Sequence, residues 1–195
     1  QMNAHKSILE QTRAVAQLEL AKPSEFPRIA LYMEQVTSLF EEIMSGMRRR
    51  ADEKLLTKTM VNNYTKEGLL HRPHNKKYDR AHMIKLVYIF LLKHMLSMQD
   101  IKWMLRMLEE EKSLEMVYDC LLEEIDQGRA NYISHVERCI QRARARLEDK
   151  GILCEQNLLL LTMMTLSVEA TADKKIVERL IDQSADPPAK GRKED

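Results

Sequence analysis

The sequence predicts an all-α protein with one small β element, and three observations carry that expectation. Glycine and proline are scarce, five of each in 195 residues, which is too few turn residues for a sandwich or barrel. Apolar residues make up 44% of the chain but aromatics only 5%, so the core must be built mostly from aliphatic side chains and methionine. Those apolar positions recur at helical spacing along most of the chain. A chain of this length holds one or two small domains with a substantial core.

Taken in order, residues 3–21 suit a helix with Ile8, Val15 and Leu18 on its apolar side, ended by Pro23 and Pro27. Residues 31–47 suit a second, with Val36, Leu39, Phe40, Ile43 and Met47 at helical spacing and an end near Ser45-Gly46. The polar connection Arg48-Arg49-Arg50-Ala51-Asp52-Glu53 leads to a helix capped by Thr57 and ended by Gly68. Residues 71–78, with Pro73 and an Asn75-Lys76 turn, suit a small β-hairpin. Asp79 caps a helix over 80–96 that is apolar on most sides and should be a buried spine. Ser97 and Asp100 form an S-x-x-D capping pair before a helix with Ile101, Trp103, Leu105 and Leu108.

The second half has a different character. Apolar stripes at 114–125 and 132–147 point to two helices ended by Gly128 and Gly151. Residues 155–170 hold a Leu- and Met-rich run too apolar for a surface helix, so 157–168 should be buried in the chain or across a dimer. Ile176, Val177, Leu180 and Ile181 mark a last short helix, and 184–195 should be a disordered tail. No internal repeat is visible.

Charge is balanced overall at +1 but unevenly spread. Residues 48–93 carry twelve basic and four acidic side chains, a net +8, between flanks of −2 and −5. Such a module is the footprint expected for phosphate partners; the plainer alternative is a solvated, lysine-rich face. The helix inside this module has two unlike sides. Thr59, Asn62, Asn63 and Lys66 fall at i, i+3, i+4 and i+7, while Met60, Val61 and Tyr64 lie opposite. Asn can pair bidentately with adenine in the major groove, and Lys can reach guanine or phosphate. Helix, glycine turn and basic loop together look like the reading head of a winged helix-turn-helix.

The order of the pieces adds to this. Tyr64-x-x-x-Gly68-Leu69-Leu70 is followed by a basic, proline-containing loop ending at Tyr78, an apolar helix, and Leu96-Ser97-Met98-x-x-Ile101. Over about residues 25–110 this resembles the DNA-binding domain of MerR-family transcriptional regulators. More closely, Leu31-Tyr32-Met33-Glu34-Gln35-Val36 with Leu56-Thr57-x-x-Met60-x-Asn62-Asn63-Tyr64 is similar to an uncharacterised family of bacterial MerR-like domains. The departures are a longer connection from Gly46 to Leu56, a shorter wing without Gly-Tyr-Arg before its last tyrosine, and a second half broken by glycines.

The resemblance implies that the helix from Lys58 to Glu67 enters the major groove and that Arg72, Lys76, Lys77 and Arg80 hold phosphates. Arg48, Arg49 and Arg50 would act as a flexible arm. Tyr64 either reaches phosphate, as the matching tyrosine does in that family, or packs into the core; Tyr78 more readily pins the wing than touches DNA. Asn62 and Asn63 have an ordinary alternative too, as a polar helix surface.

Nothing in the sequence calls for catalysis: there is no Ser-His-Asp order, Gly-rich phosphate loop or inward carboxylate pair. Cys120, Cys139 and Cys154 show no C-x-x-C spacing, and His71, His74 and His82 sit beside basic residues without a carboxylate at i+4, so neither a metal nor a cofactor is expected. Met163 and Met164 suit core packing better than an effector pocket. With no signal peptide pattern and no apolar run of about 18 residues, the expected location is the cytoplasm and no membrane contact is expected.

The expectation is therefore an all-α protein with four parts. Residues 1–26 form an N-terminal helix and linker, and 27–110 a MerR-like winged helix-turn-helix with a small β wing. Residues 113–183 form a C-terminal dimerisation or effector region of four helices, and 184–195 a tail. Its expected function is sequence-specific binding of double-stranded DNA as a homodimeric transcriptional regulator, with the effector unspecified. The rival is a protein-interaction adaptor that keeps the fold without binding DNA.

Overall fold

The computed structural model describes residues 3–108 and 111–184 and is mostly helical, with one two-stranded sheet among the described residues. The expected tail, apart from Ser184, lies outside them. Two compact units divide the chain: Glu19–Leu122 with the segment from Val177, and Gln1–Leu18 with Glu123–Ile176. None of the described helices is long and apolar enough to cross a membrane.

In the unit built on Glu19–Leu122, β1 (Leu31–Tyr32) leads directly into α2 (Met33–Ile43), followed by a 3-10 turn at Ser45–Met47. A single helix over 31–47 was expected. Leu31 and Tyr32 instead pair antiparallel with β2 (Lys77–Tyr78), in the register Leu31↔Tyr78 and Tyr32↔Lys77. Short strands of this kind are set by a distant partner, and local periodicity cannot show that.

The next helices lie close to their sequence-based positions because their caps are local. Helix α3 (Lys58–Glu67) starts at Thr57, whose side chain accepts from the Met60 amide, and stops at Gly68 in the left-handed region with φ 75°. Helix α4 (Arg80–Leu92) is capped by Asp79, and α5 (Met98–Arg106) by Ser97 with Asp100 closing the capping box. Helix α4 ends four residues before the expected Leu96; it is buried on almost every side, from Ala81 through Phe90. Around it gather Phe26, Val36, Phe40, Met44, Leu55, Leu56, Val61 and Ile101. Tyr118 is fully buried, and its hydroxyl donates to the Ala21 carbonyl at 2.8 Å.

The unit of Gln1–Leu18 and Glu123–Ile176 contains α1 (Ala4–Ala16), most of α6 (Glu111–Asp149) and most of α7 (Glu155–Asp182). Helix α1 is shorter than the expected 3–21. It buries Ala4 and Thr12 with Ile8 and Leu9 beside them, whereas Val15 falls off that face and is exposed. Arg129 donates to the carbonyl of Ala16 at the C-terminal end, where a cation suits the helix dipole.

Two long helices, α6 and α7, occupy the stretch in which four were expected. Gly128 lies inside α6 with open space around its Cα, so its cost is only its propensity, about 1 kcal/mol, and packing along the rest of a 39-residue helix overrides it. Gly151 does end α6, with φ 67°. The apolar run in α7 is buried on one side only. Leu158 and Thr162 are enclosed, while Leu160, Met163, Met164 and Val168 are exposed; of the two expected alternatives for 157–168, burial in the chain or across a dimer, the first does not hold for these four.

Candidate nucleic-acid interface

Helix α3 turns its two faces as its sequence dictates. Val61 and Tyr64 go into the core, and Thr59, Asn62, Asn63 and Lys66 are all exposed on the other side. Neither asparagine side chain has a hydrogen-bond partner among the described residues, so their amides are available to a ligand. The end of the helix is braced: Lys102 Nζ donates to the Glu67 carbonyl at 2.7 Å. Gly68 is favoured there by its positive φ; a Cβ would stand 2.9 Å from Lys102 Nζ, and the flexible lysine end would have to move aside.

Behind the helix, the loop turns on Asn75 and Lys76, both with positive φ (49° and 62°), a two-residue hairpin turn. It is closed by a single bridge, His74↔Lys77, so most of the pairing of this segment is with Leu31 and Tyr32 rather than within a hairpin. Arg72 and Lys76 are exposed. Lys77 is half-buried, with its ammonium 5.1 Å from the centre of the Tyr32 ring.

Several of the sequence-derived site residues are occupied elsewhere. Tyr64 is only 6% exposed and belongs to the core, where burial raises its phenol pKa; the packing reading is the one its position bears. Tyr78 is 4% exposed and meets the His82 ring edge-on at 5.2 Å, so it pins the loop. Arg80 pairs with Glu115 at 3.6 Å and points to the Phe26 carbonyl. Lys58 pairs with Glu34 at 2.5 Å on the protein surface, and that pairing holds the Glu34 carboxyl below its usual pKa. The group left clear is Thr59, Asn62, Asn63, Lys66, Arg72 and Lys76.

Arg48 is not a free arm. Its guanidinium donates to Glu41 at 2.5 Å, and the other oxygen of that carboxylate accepts from the amides of Leu55 and Leu56 at 2.8 and 3.1 Å. Burial raises the Glu41 pKa, but Arg48 and the two amides outweigh it and the net shift is downward. One carboxylate thus ties the long connection between α2 and α3 to α2. No local pattern announces this, because its partners lie 7, 14 and 15 residues away.

His82, 1% exposed, does a similar task for the loop. Its Nδ1 lies 2.7 Å from Asp79 Oδ1, and its Nε2 lies 3.1 Å from the His71 carbonyl. The His71 ring lies against it, centroids 3.7 Å apart and planes tilted by 45°, and burial, with the neighbouring His82, lowers the His71 pKa. Burial pushes the Asp79 pKa up, but the His82 amide and ring pull it further down. The carboxylate partner absent at i+4 of these histidines is Asp79, three residues before His82. His74 stands apart, against Asn75.

The fold and this surface define a mostly helical protein with a two-stranded sheet and an exposed helix face of amides and cations. Residues 21–121 match the family described as Domain of unknown function (DUF1836), and the chain belongs to that family. No curated protein and no solved structure matches the chain.

Proposed function

We propose that about residues 27–110 form a MerR-like winged helix-turn-helix and that the protein binds double-stranded DNA in a sequence-specific manner as a transcriptional regulator. The observation that carries this reading is the free face of α3: Thr59, Asn62, Asn63 and Lys66 are exposed together on a helix capped at both ends, beside the exposed cations Arg72 and Lys76. On this reading the two asparagines and Lys66 read base edges, and the loop cations position the protein on phosphates. A second copy would double the reading surface on a pseudo-palindromic site. Support for a homodimer comes from α7, where Leu160, Met163, Met164 and Val168 leave an apolar stripe at i, i+3, i+4 and i+8 uncovered.

The test is binding to random-sequence duplex DNA across a salt series, followed by selection of a preferred site. Affinity should fall steeply with salt, and Lys76→Ala should reduce the slope by about one phosphate's worth, near 0.9. Asn62→Ala with Asn63→Ala should lower discrimination between selected and random duplexes by about 1–3 kcal/mol per lost base contact while leaving the fold intact. Unchanged discrimination would remove α3 from the reading role.

The rival, an adaptor without DNA binding, is favoured by one group of contacts. Lys58, Arg80 and Arg48 are each paired with a carboxylate, which takes three cations of the basic module out of the phosphate-facing set. A folded protein with no duplex affinity at low salt would overturn the regulator reading and turn the search to a protein partner.

A further inference from the structure

A second cluster of ligating side chains lies in the helical unit of Gln1–Leu18 and Glu123–Ile176, away from the basic module in sequence. His135 and Cys139 stand at i and i+4 on α6, and Glu169 reaches them from α7. His135 Nε2 is 2.8 Å from Glu169 Oε2 and 3.6 Å from Cys139 Sγ. The sulfur is 3.8 and 3.9 Å from the two carboxylate oxygens. We propose that His135, Cys139 and Glu169 form a binding site for a divalent transition-metal ion, zinc above all, with a water molecule as fourth ligand.

The distances carry the proposal. A tetrahedral zinc with sulfur at about 2.3 Å, nitrogen at about 2.05 Å and oxygen at about 2.0 Å has ligand-to-ligand edges of about 3.6 Å (N to S), 3.5 Å (S to O) and 3.3 Å (N to O). The three observed edges lie within about 0.5 Å of these. One imidazole, one thiolate and one carboxylate form a mixed donor set that suits zinc better than magnesium or calcium, which prefer oxygen alone. The setting also has the two characters such a site needs. Cys139 is 2% exposed, which gives the sulfur a dry side. His135 and Glu169 are 37% and 36% exposed, which leaves an entry path and room for water.

Arg142 completes the surroundings. Its guanidinium donates to Cys139 Sγ at 3.2 Å and stands 3.7 Å from Glu169 Oε1. It therefore acts on two of the ligands from outside, the place of an orienting second layer. The chemistry of binding is an exchange. As the metal–sulfur bond forms, the thiol proton passes to solvent; the proton shared by His135 Nε2 and Glu169 passes to solvent or is replaced by one on Nδ1, which frees the Nε2 lone pair and one Glu169 oxygen for the metal. Thiol and imidazole must both be deprotonated to ligate, so protons compete with the metal and binding should tighten as pH rises. The site is independent of the DNA-binding reading and stands or falls without it.

The direct test uses Co2+ as a probe, titrated into the full chain with Cys120→Ser and Cys154→Ser, both exposed positions whose thiols would otherwise compete. The expected result is a thiolate-to-cobalt charge-transfer band with d–d absorption of tetrahedral intensity, saturating at one Co2+ per chain and abolished by added Zn2+. Cys139→Ser should lose the charge-transfer band. His135→Gln and Glu169→Gln should each weaken binding at least about tenfold. If Cys139→Ser does not fold, as judged by helical circular dichroism, the two exposed-ligand variants decide. A folded protein giving no band overturns the site and leaves the cluster as an ion-pair network around Arg142. So does a band that survives in Cys139→Ser, or affinity unchanged in both other variants.

Discussion

Among the described residues histidine meets a carboxylate at two places, and the two differ in what is left over once the fold is made. At the start of α4, His82 is enclosed, with one ring nitrogen on Asp79 and the other on the His71 carbonyl. Every donor or acceptor on that ring is used to hold the loop carrying Arg72 and Lys76 against the helix. On α6, His135 is partly exposed, and the atom facing Glu169 is the same Nε2 that faces Cys139. Three potential ligand atoms converge there, and no backbone group is tied down. Both clusters bring ligand types within 4.8 Å of one another, yet only in the first is the buried ring held by a backbone carbonyl as well as a carboxylate. Proximity of histidine and carboxylate is therefore a poor guide to a metal site until the partners of both ring nitrogens are known.

The sharpest way to break this contrast is to remove the enclosed ring. His82→Ala should cost about 2–4 kcal/mol, since it opens a cavity, leaves the His71 carbonyl without its partner and removes the ring contact to Asp79. Denaturant unfolding should show the loss as a lower midpoint at unchanged slope. If the loop serves DNA, weaker duplex affinity should accompany it under conditions where the variant is still folded. A stability change below about 0.5 kcal/mol would mean that the ring is dispensable and the two clusters are alike.

How much of this was legible in the residues depends on how far each signal reaches. Thr57, Gly68, Asp79 and Ser97 act on amides within three or four residues, so the ends of α3 and the starts of α4 and α5 are readable from the sequence. Exposure of Thr59, Asn62, Asn63 and Lys66 is equally local, since a helix with Val61 and Tyr64 inward must turn them out. Pairing of Leu31-Tyr32 with Lys77-Tyr78 spans the whole of α3 and leaves no periodic trace in two-residue strands. The roles of Glu41, Glu34 and Glu115, which take up Arg48, Lys58 and Arg80, are hidden for the same reason. Gly128 misled in the opposite direction, as a local breaker signal outweighed by the length of α6. The α6–α7 cluster left a partial trace: His135 and Cys139 have the i, i+4 spacing of two ligands on one helix face, but Glu169 arrives from another helix.

A smaller effect separates the residues within the enclosed cluster by pH. The His71 pKa is lowered from 6.5, so the unfolded chain binds this proton more readily and stability should decline as pH falls below about 6.5. The Asp79 pKa is lowered from 3.8, so its contribution is present above about 3.8 and lost as pH falls through the folded value beneath it. The two windows open at different pH, below about 6.5 for His71 and below about 3.8 for Asp79. Asp79→Asn keeps a good helix cap but removes the charge, and should cost at most about 1 kcal/mol at neutral pH, because water screens this half-exposed carboxylate. Unfolding midpoints at a series of pH values should show the Asp79→Asn curve flattened only in the acid window. Flattening near pH 6 instead would assign the pH dependence to the ring–carboxylate contact rather than to burial of His71.

The smallest expected change is the most discriminating for the open cluster. In the presence of a chelator, His135→Gln should alter stability by less than about 0.5 kcal/mol, because the His135–Glu169 pair is partly exposed and such pairs contribute little. With Zn2+ in excess the parent protein should gain stability as the logarithm of free metal, and the variant should not. The physical content lies in that pairing of results. A side chain that the fold uses is costly to remove whatever is in solution, as at His82, whereas a side chain held ready for a ligand matters only when the ligand is present. A large loss for His135→Gln in chelator would place the α6–α7 contact in the first class and make the two clusters variations of one structural device.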